Sequence, residues 1–210
     1  LEELNVREYG GGKNADRLGK LKNVRVMKLD SVIDAIYDIK LLSENLPKLK
    51  GLYMYQAEIE NPEYLTELSE LTELSYYPSV TDDDGYISAD QSFTPDFSRL
   101  AALKKLYIFG NYGDYSFLKE LRNVDSISVK VDNAQRDQLD DIFACPNVTE
   151  LEIYGCASDD PDLSGISALN NLRKLDIHVS SLDFARISEV SSLEELNVRE
   201  YGGGKNADRL

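Results

Sequence analysis

An α/β solenoid, made of short parallel strands backed by helical turns and loops, is the fold class this 210-residue sequence predicts. Three observations carry that prediction. A six-residue pattern, Leu-x-x-Leu-x-Leu with Val, Ile or Met as substitutes, recurs along the whole chain. Apolar residues at spacing three lead into several of its occurrences. The peptide LEELNVREYGGGKNADRL stands at 1–18 and again at 193–210, an offset of 192 residues.

The pattern opens with LEELNV at Leu1. It returns as LKNVRV from Leu21, LKGLYM from Leu49, LTELSY from Leu71 and LKKLYI from Leu103. It continues as VDSISV from Val124, VTELEI from Val148, LRKLDI from Leu172 and LEELNV from Leu193. Read this way, 1–210 is a single solenoid of eight full repeats and a partial ninth, and the duplicated peptide is in register with them. These units resemble leucine-rich repeats of the short bacterial, internalin-like class. That resemblance implies a strand per repeat on the concave face of a curved stack, with a convex side of short helices, 3-10 turns and loops.

The segments before the strands fit this picture. Leu163, Ile166 and Leu169 lead into Leu172, Phe97 and Leu100 into Leu103, and Leu65 and Leu68 into Leu71. Two stretches, DSVIDAIYDIKLLSENL (30–46) and Ala134–Phe143, have apolar residues at helical spacing and predict true helices. The family pattern places Asn at the ninth position of each unit. Here that position reads Tyr9, Leu29, Ala57, Ser79, Asn111, Asp132, Cys156 and Ser180, so the asparagine ladder is largely missing and irregular turns are expected.

Composition narrows the function. Hydrophobic residues make up 42% of the chain, enough for a packed core. Lys and Arg number 23 against 38 Asp and Glu, a formal net charge of −15, which argues against nucleic acid and favours a basic or neutral partner. No apolar run is long enough for a membrane span. The chain opens in mid-pattern at Leu1, so the lack of a visible leader says nothing of targeting. Two cysteines make no disulfide framework. The reading for location is a bacterial surface or secreted protein, with the cytoplasm as the alternative.

Side chains alternate along a strand, so if the Leu positions face the core, positions three, five and seven face out. The seventh-position column reads Arg7, Met27, Tyr55, Tyr77, Phe109, Lys130, Tyr154, His178 and Arg199, and position five adds Tyr53 and Tyr107. This aromatic strip suits protein or peptide recognition, because aromatic rings offer large contact area at low rotamer cost. The competing reading is that aromatics stiffen sheets. The partner-binding candidates are therefore Tyr53, Tyr55, Tyr77, Tyr107, Phe109, Tyr154 and His178. Position three, with Glu150, Lys174 and Glu195 alternating in sign, reads as a structural charge ladder.

Catalytic signals are weak. His178, the sole histidine, lies two residues from Asp176 on the same predicted face, but no motif places a nucleophile beside it and no second His offers a metal pair. No cofactor is implied, and no enzyme is expected. TDDDGYISADQ (81–91) resembles half of a calcium loop. Asp82 and Asp84 fall at ligand positions, while Val80 and Gln91 replace the first and last ligands, leaving at most a weak calcium candidate. GGGK lacks the phosphate-loop spacing. Cys145 and Cys156 occupy core slots as small hydrophobes, with no disulfide expected between them.

Two functions remain: a recognition scaffold using the aromatic face, within a longer tandem array of 192-residue periods, or a structural, filament-forming repeat protein. In the latter, identical ends leave room for head-to-tail self-association if the faces are complementary.

Overall fold

The structure, a computed structural model, describes residues 2–7, 21–30, 36–81, 87–89, 96–109, 115–130, 138–156, 163–179 and 184–200. The chain forms two compact units, Leu1–Gly110 and Asn111–Leu210. Among the described residues each is a stack of leucine-rich coils, with a parallel strand per coil and 3-10 turns or short helices in the returns.

In the first unit the elements are β1 (Glu3–Arg7), β2 (Val26–Asp30), β3 (Ile36–Asp38), α1 (Ile39–Asn45), β4 (Gly51–Glu60), β5 (Glu73–Thr81), β6 (Ile87–Ala89) and β7 (Lys105–Ile108). Strands β1, β2, β4, β5 and β7 lie side by side in that order, all parallel. Strand β3 pairs in parallel alongside the last residues of β4, and β6 folds back antiparallel on the end of β5. The second unit holds β8 (Ser126–Lys130), α2 (Gln138–Phe143), β9 (Glu150–Cys156), β10 (Lys174–Val179), α3 (Phe184–Ile187) and β11 (Glu195–Glu200). Its strands β8 to β11 are parallel and adjacent in chain order.

The repeat pattern has a direct physical translation. Its three apolar positions fill the core, as with Leu71, Leu74 and Tyr76 in one coil and Leu172, Leu175 and Ile177 in another, all buried. Burying a side chain of this size stabilises by about 1.5–3 kcal/mol. The spacing of three before each strand is the period of a 3-10 helix, in which residues three apart eclipse one another. Accordingly Ile166 N–H donates to Leu163 O at 3.0 Å, Leu169 to Ile166 at 3.0 Å and Leu172 to Leu169 at 3.0 Å. The same run links Leu65, Leu68 and Leu71 at 3.1 and 3.0 Å, and Phe97, Leu100 and Leu103 at 3.0 and 2.9 Å.

The register corrects one coil. Met27 pairs with Leu52 and Leu29 with Met54, and Val24, Met27 and Leu29 are all buried. The apolar triplet there is Val24-x-x-Met27-x-Leu29, three residues later than the LKNVRV reading. Met27 is therefore core, not a member of the outward column, and Asp30 takes the seventh position opposite Tyr55. Apolar residues at both spacings made the sequence ambiguous; burial of the larger side chains decides it.

The helix expected over 30–46 is shorter than its apolar spacing suggests. Asp38 caps it, its Oδ1 accepting from Lys40 N at 2.9 Å and Leu41 N at 3.3 Å, so α1 starts at Ile39. Ile36–Asp38 instead pairs with Glu58–Glu60 of the long β4. Within 134–143, the described part Gln138–Phe143 is helical. At the ninth position, Ser79 does what Asn does in the family pattern: its buried Oγ donates to Gln56 O at 2.7 Å, joining neighbouring coils.

Candidate functional site

On the open face of the first unit, positions five and seven gather aromatic rings. Tyr55 and Tyr77 are register partners on β4 and β5, with ring centroids 5.5 Å apart in an edge-to-face pose. Phe109 follows β7, its N–H donating to Tyr76 O, and its ring lies 5.8 Å from that of Tyr77. Both separations fall in the attractive range for aromatic pairs. Tyr55 leaves 57% of its surface in solvent, the largest exposure of any big apolar side chain among the described residues.

Position five supports this ladder from one side. Tyr53 and Tyr107 stand on β4 and β7, with Ser75 of β5 between them in register. Burial, then a hydrogen bond from its hydroxyl to Glu73 Oε2, pushes the Tyr53 pKa well above the ordinary phenol value, so it stays a donor. The Lys28 ammonium sits 5.8 Å from the Tyr53 ring centre. Gly51 leaves room for that ring: an added Cβ would meet Tyr53 Cε2 at 3.2 Å.

A bulge shapes the edge of the patch. Tyr55 pairs with Tyr77 but Ala57 pairs with Pro78, leaving Gln56 as an extra residue. Gln56 adopts φ 49°, a left-handed conformation uncommon outside glycine. Such strain collects where a side chain must be aimed.

The second unit uses the same columns differently. His178 occupies position seven, as its spacing requires, but it is only 2% exposed and so is not the open binding residue expected. The Tyr154 ring covers it, with centroids 4.3 Å apart. Its Nε2 lies 3.1 Å from Asp176 Oδ1. Glu152, at position five of the next strand, completes a group whose ligand atoms all lie within 4.8 Å of one another. Glu152 is itself held from both sides: Ser128 Oγ donates to Oε2 at 2.9 Å and the Tyr154 hydroxyl to Oε1. Burial first, then that bond to Glu152, raises the Tyr154 pKa far above the usual phenol range. Neither Glu152 nor Ser128 was a sequence candidate, although reading position five across β8, β9 and β10 (Ser128, Glu152, Asp176) lines them up.

The structure thus brings Tyr55, Tyr77 and Phe109 together, flanked by Tyr53 and Tyr107, and separately joins Tyr154 with His178. The charge ladder at position three is present, Lys174 Nζ meeting Glu195 Oε1 at 3.0 Å. Cys145 is buried and free, and burial pushes its thiol up to about 12. Asp82 and Asp84, Arg7's side chain and that of Cys156 lie outside the described residues. Among the described residues no helix is long and apolar enough to cross a membrane.

One strand per coil, core leucines and 3-10 returns define a leucine-rich repeat fold of the internalin kind. Neither a family model nor a curated protein sequence matches the chain. Among solved structures it is similar to internalin C2 of Listeria monocytogenes, with a TM-score of 0.51 at 16% identity over 86% of this chain and 83% of that one. It is also similar to the plant peptide hormone receptor RGFR1, solved in complex with RGF2, with a TM-score of 0.50 at 21% identity. That match covers 96% of this chain but 31% of the receptor. Internalin F of Listeria monocytogenes gives a TM-score of 0.44 at 18% identity, covering 95% and 67%.

Proposed function

We propose that this chain is a non-enzymatic leucine-rich repeat scaffold that binds an extended peptide or protein segment on its aromatic sheet face. The observation that carries the reading is the Tyr55–Tyr77–Phe109 ladder, contiguous over three strands and most exposed at Tyr55. Rigid rings of this kind supply contact area at little entropic cost, and they dominate interface energetics elsewhere. The net charge of −15 favours a segment carrying Lys or Arg beside its apolar anchors. The fold it shares with a receptor solved in complex with RGF2 agrees with this use. The sole histidine is enclosed by Tyr154 and two carboxylates, so it is not offered to a substrate.

The test is a random-peptide display selection on the immobilised full chain. The expected result is an enriched consensus with aromatic or aliphatic anchors and at least one basic residue. Tyr77→Ala should weaken the selected peptides by about 30-fold, the scale of a central hot spot. Peptides that bind the wild type and a Tyr55→Ala, Tyr77→Ala, Phe109→Ala triple variant equally well would overturn the assignment.

A second reading rests on the duplicated 18-residue peptide, which stands in register with the coils at an offset of 192. It makes the chain one period of a tandem or filament-forming array. Intact-mass spectrometry of the natural protein tests it: a mass several times 23.6 kDa supports a covalent array, and a mass near that value removes the covalent array and leaves only non-covalent assembly, which sedimentation of the purified chain then tests.

A further inference from the structure

The cluster beneath Tyr154 in the second unit is independent of the aromatic ladder and of the peptide reading. We propose that Glu152, Asp176 and His178 form a divalent transition-metal site, with zinc the best-matched ion. One imidazole and two carboxylates are an ordinary zinc donor set that leaves a fourth position for water.

Several observations converge on this. The three ligand atoms lie within 4.8 Å of one another. The His178 Nε2 to Asp176 Oδ1 separation is 3.1 Å. Two ligands on one tetrahedral zinc, at the usual bond lengths near 2 Å, stand about 3.3 Å apart. Asp176 Oδ1 is sealed from solvent and, with His178 Nε2 beside it, still makes no hydrogen bond of good geometry. A carboxylate oxygen stripped of water and left without a donor is costly, and such atoms call for an explanation. A cation supplies it. The charges also balance: a divalent ion, two carboxylates and a neutral imidazole sum to zero, which suits a site this enclosed.

The surroundings are those of a supported site. Metal-binding carboxylates are normally held by outer hydrogen bonds that set their orientation. Glu152 has two, from Ser128 Oγ at 2.9 Å and from the Tyr154 hydroxyl, and each oxygen keeps a lone pair for a metal. The Tyr154 ring, 4.3 Å from the imidazole, fixes the plane of His178. A bulge produces this arrangement. Ile177 pairs with Ile153 and Val179 with Cys156, so two residues of β9 oppose His178 alone. The nearby cations, Lys130 and Arg199 at position seven and Lys174 at position three, lie outside the donor set, and Lys174 is paired with Glu195.

The full chain, stripped with a chelator, would be titrated with Zn²⁺ against a chromophoric competitor and separately with Co²⁺. One equivalent is expected to bind. His178→Gln and Asp176→Asn should each weaken it by more than about 100-fold, since loss of outer-shell support alone costs about 10–100-fold. Ser128→Ala should cost about 10-fold, and Glu63→Gln on the first unit should change nothing. Because His178 is the only histidine, a paramagnetically shifted imidazole proton in the Co²⁺ form can arise from no other residue. This readout does not depend on whether the variants fold. Absence of that signal at saturating Co²⁺ overturns the site, as does Zn²⁺ binding that persists in both ligand variants. Failure to bind any metal also overturns it.

Discussion

Tyr55 and His178 hold the same position in their coils, yet one is 57% exposed and the other 2%. Each stands at a strand bulge, and each has an aromatic neighbour on the adjoining strand. The difference lies in position five. Beside Tyr55 that column offers Tyr53, Ser75 and Tyr107, which flank the ring without enclosing it. Beside His178 it offers Glu152 and Asp176, whose carboxylates draw the imidazole inward while Tyr154 closes over it. Membership of an outward column therefore does not determine exposure; the chemistry of the neighbouring column does.

The sharpest way to break this contrast is along one strand. Tyr76 is buried in an edge-to-face contact with Phe97 at 5.5 Å, and its neighbour Tyr77 faces the open side. Tyr76→Ala should cost about 3–5 kcal/mol by urea denaturation. Tyr77→Ala should cost less than about 1 kcal/mol while weakening peptide capture by about 30-fold. Equal stability losses would dissolve the distinction between core and face. Between the units, His178→Ala should destabilise by about 1–3 kcal/mol, because it empties a buried site and removes the imidazole beside the half-buried Asp176 carboxylate. Tyr55→Ala should stay within about 0.5 kcal/mol of wild type.

Smaller effects sharpen the second unit. In a Cys156→Ser background, native Cys145 should resist disulfide reagents at pH 8 and react only as fast as the protein opens, followed by absorbance. Its raised thiol value makes the linkage sign definite. The contribution is complete below the ordinary cysteine value near 9 and is lost as pH rises from there towards about 12. The smallest effect belongs to Lys174 and Glu195. Their hydrogen bond raises the Lys174 pKa and lowers that of Glu195. The support from Glu195 is thus present at neutral pH and disappears as pH falls below the ordinary Glu value through its depressed one. Salt titration of Lys174→Met against wild type should remove nearly all of their difference.

Much of this architecture is legible in the sequence. The 3-10 returns could be read because spacing three is a local period that the backbone must honour, as Leu163, Ile166, Leu169 and Leu172 do. The aromatic ladder could be read because parallel strands in register place equivalent residues side by side. The coil at Val24 is ambiguous in sequence because Leu21, Val24 and Val26 satisfy the same template as Val24, Met27 and Leu29, and a local pattern cannot rank two fits. The expected helix over 30–46 was too long for a related reason. Apolar spacing does not reveal that β4 extends to Glu60 and claims Ile36–Asp38 as a partner.

The sequence by itself determined the leucine-rich coil, the spacing of its core and the surface column that carries Tyr55, Tyr77 and Phe109. All of these follow from short-range periodicity and side-chain alternation. Only the tertiary structure decided which members of that column meet solvent, and that Ser128, Glu152, Asp176 and His178 converge on one point. Those residues span fifty positions of the chain and come together through strand register and a single extra residue in β9. Bulges and burial arise from the competition of neighbouring strands for space and hydrogen bonds, which no single coil contains.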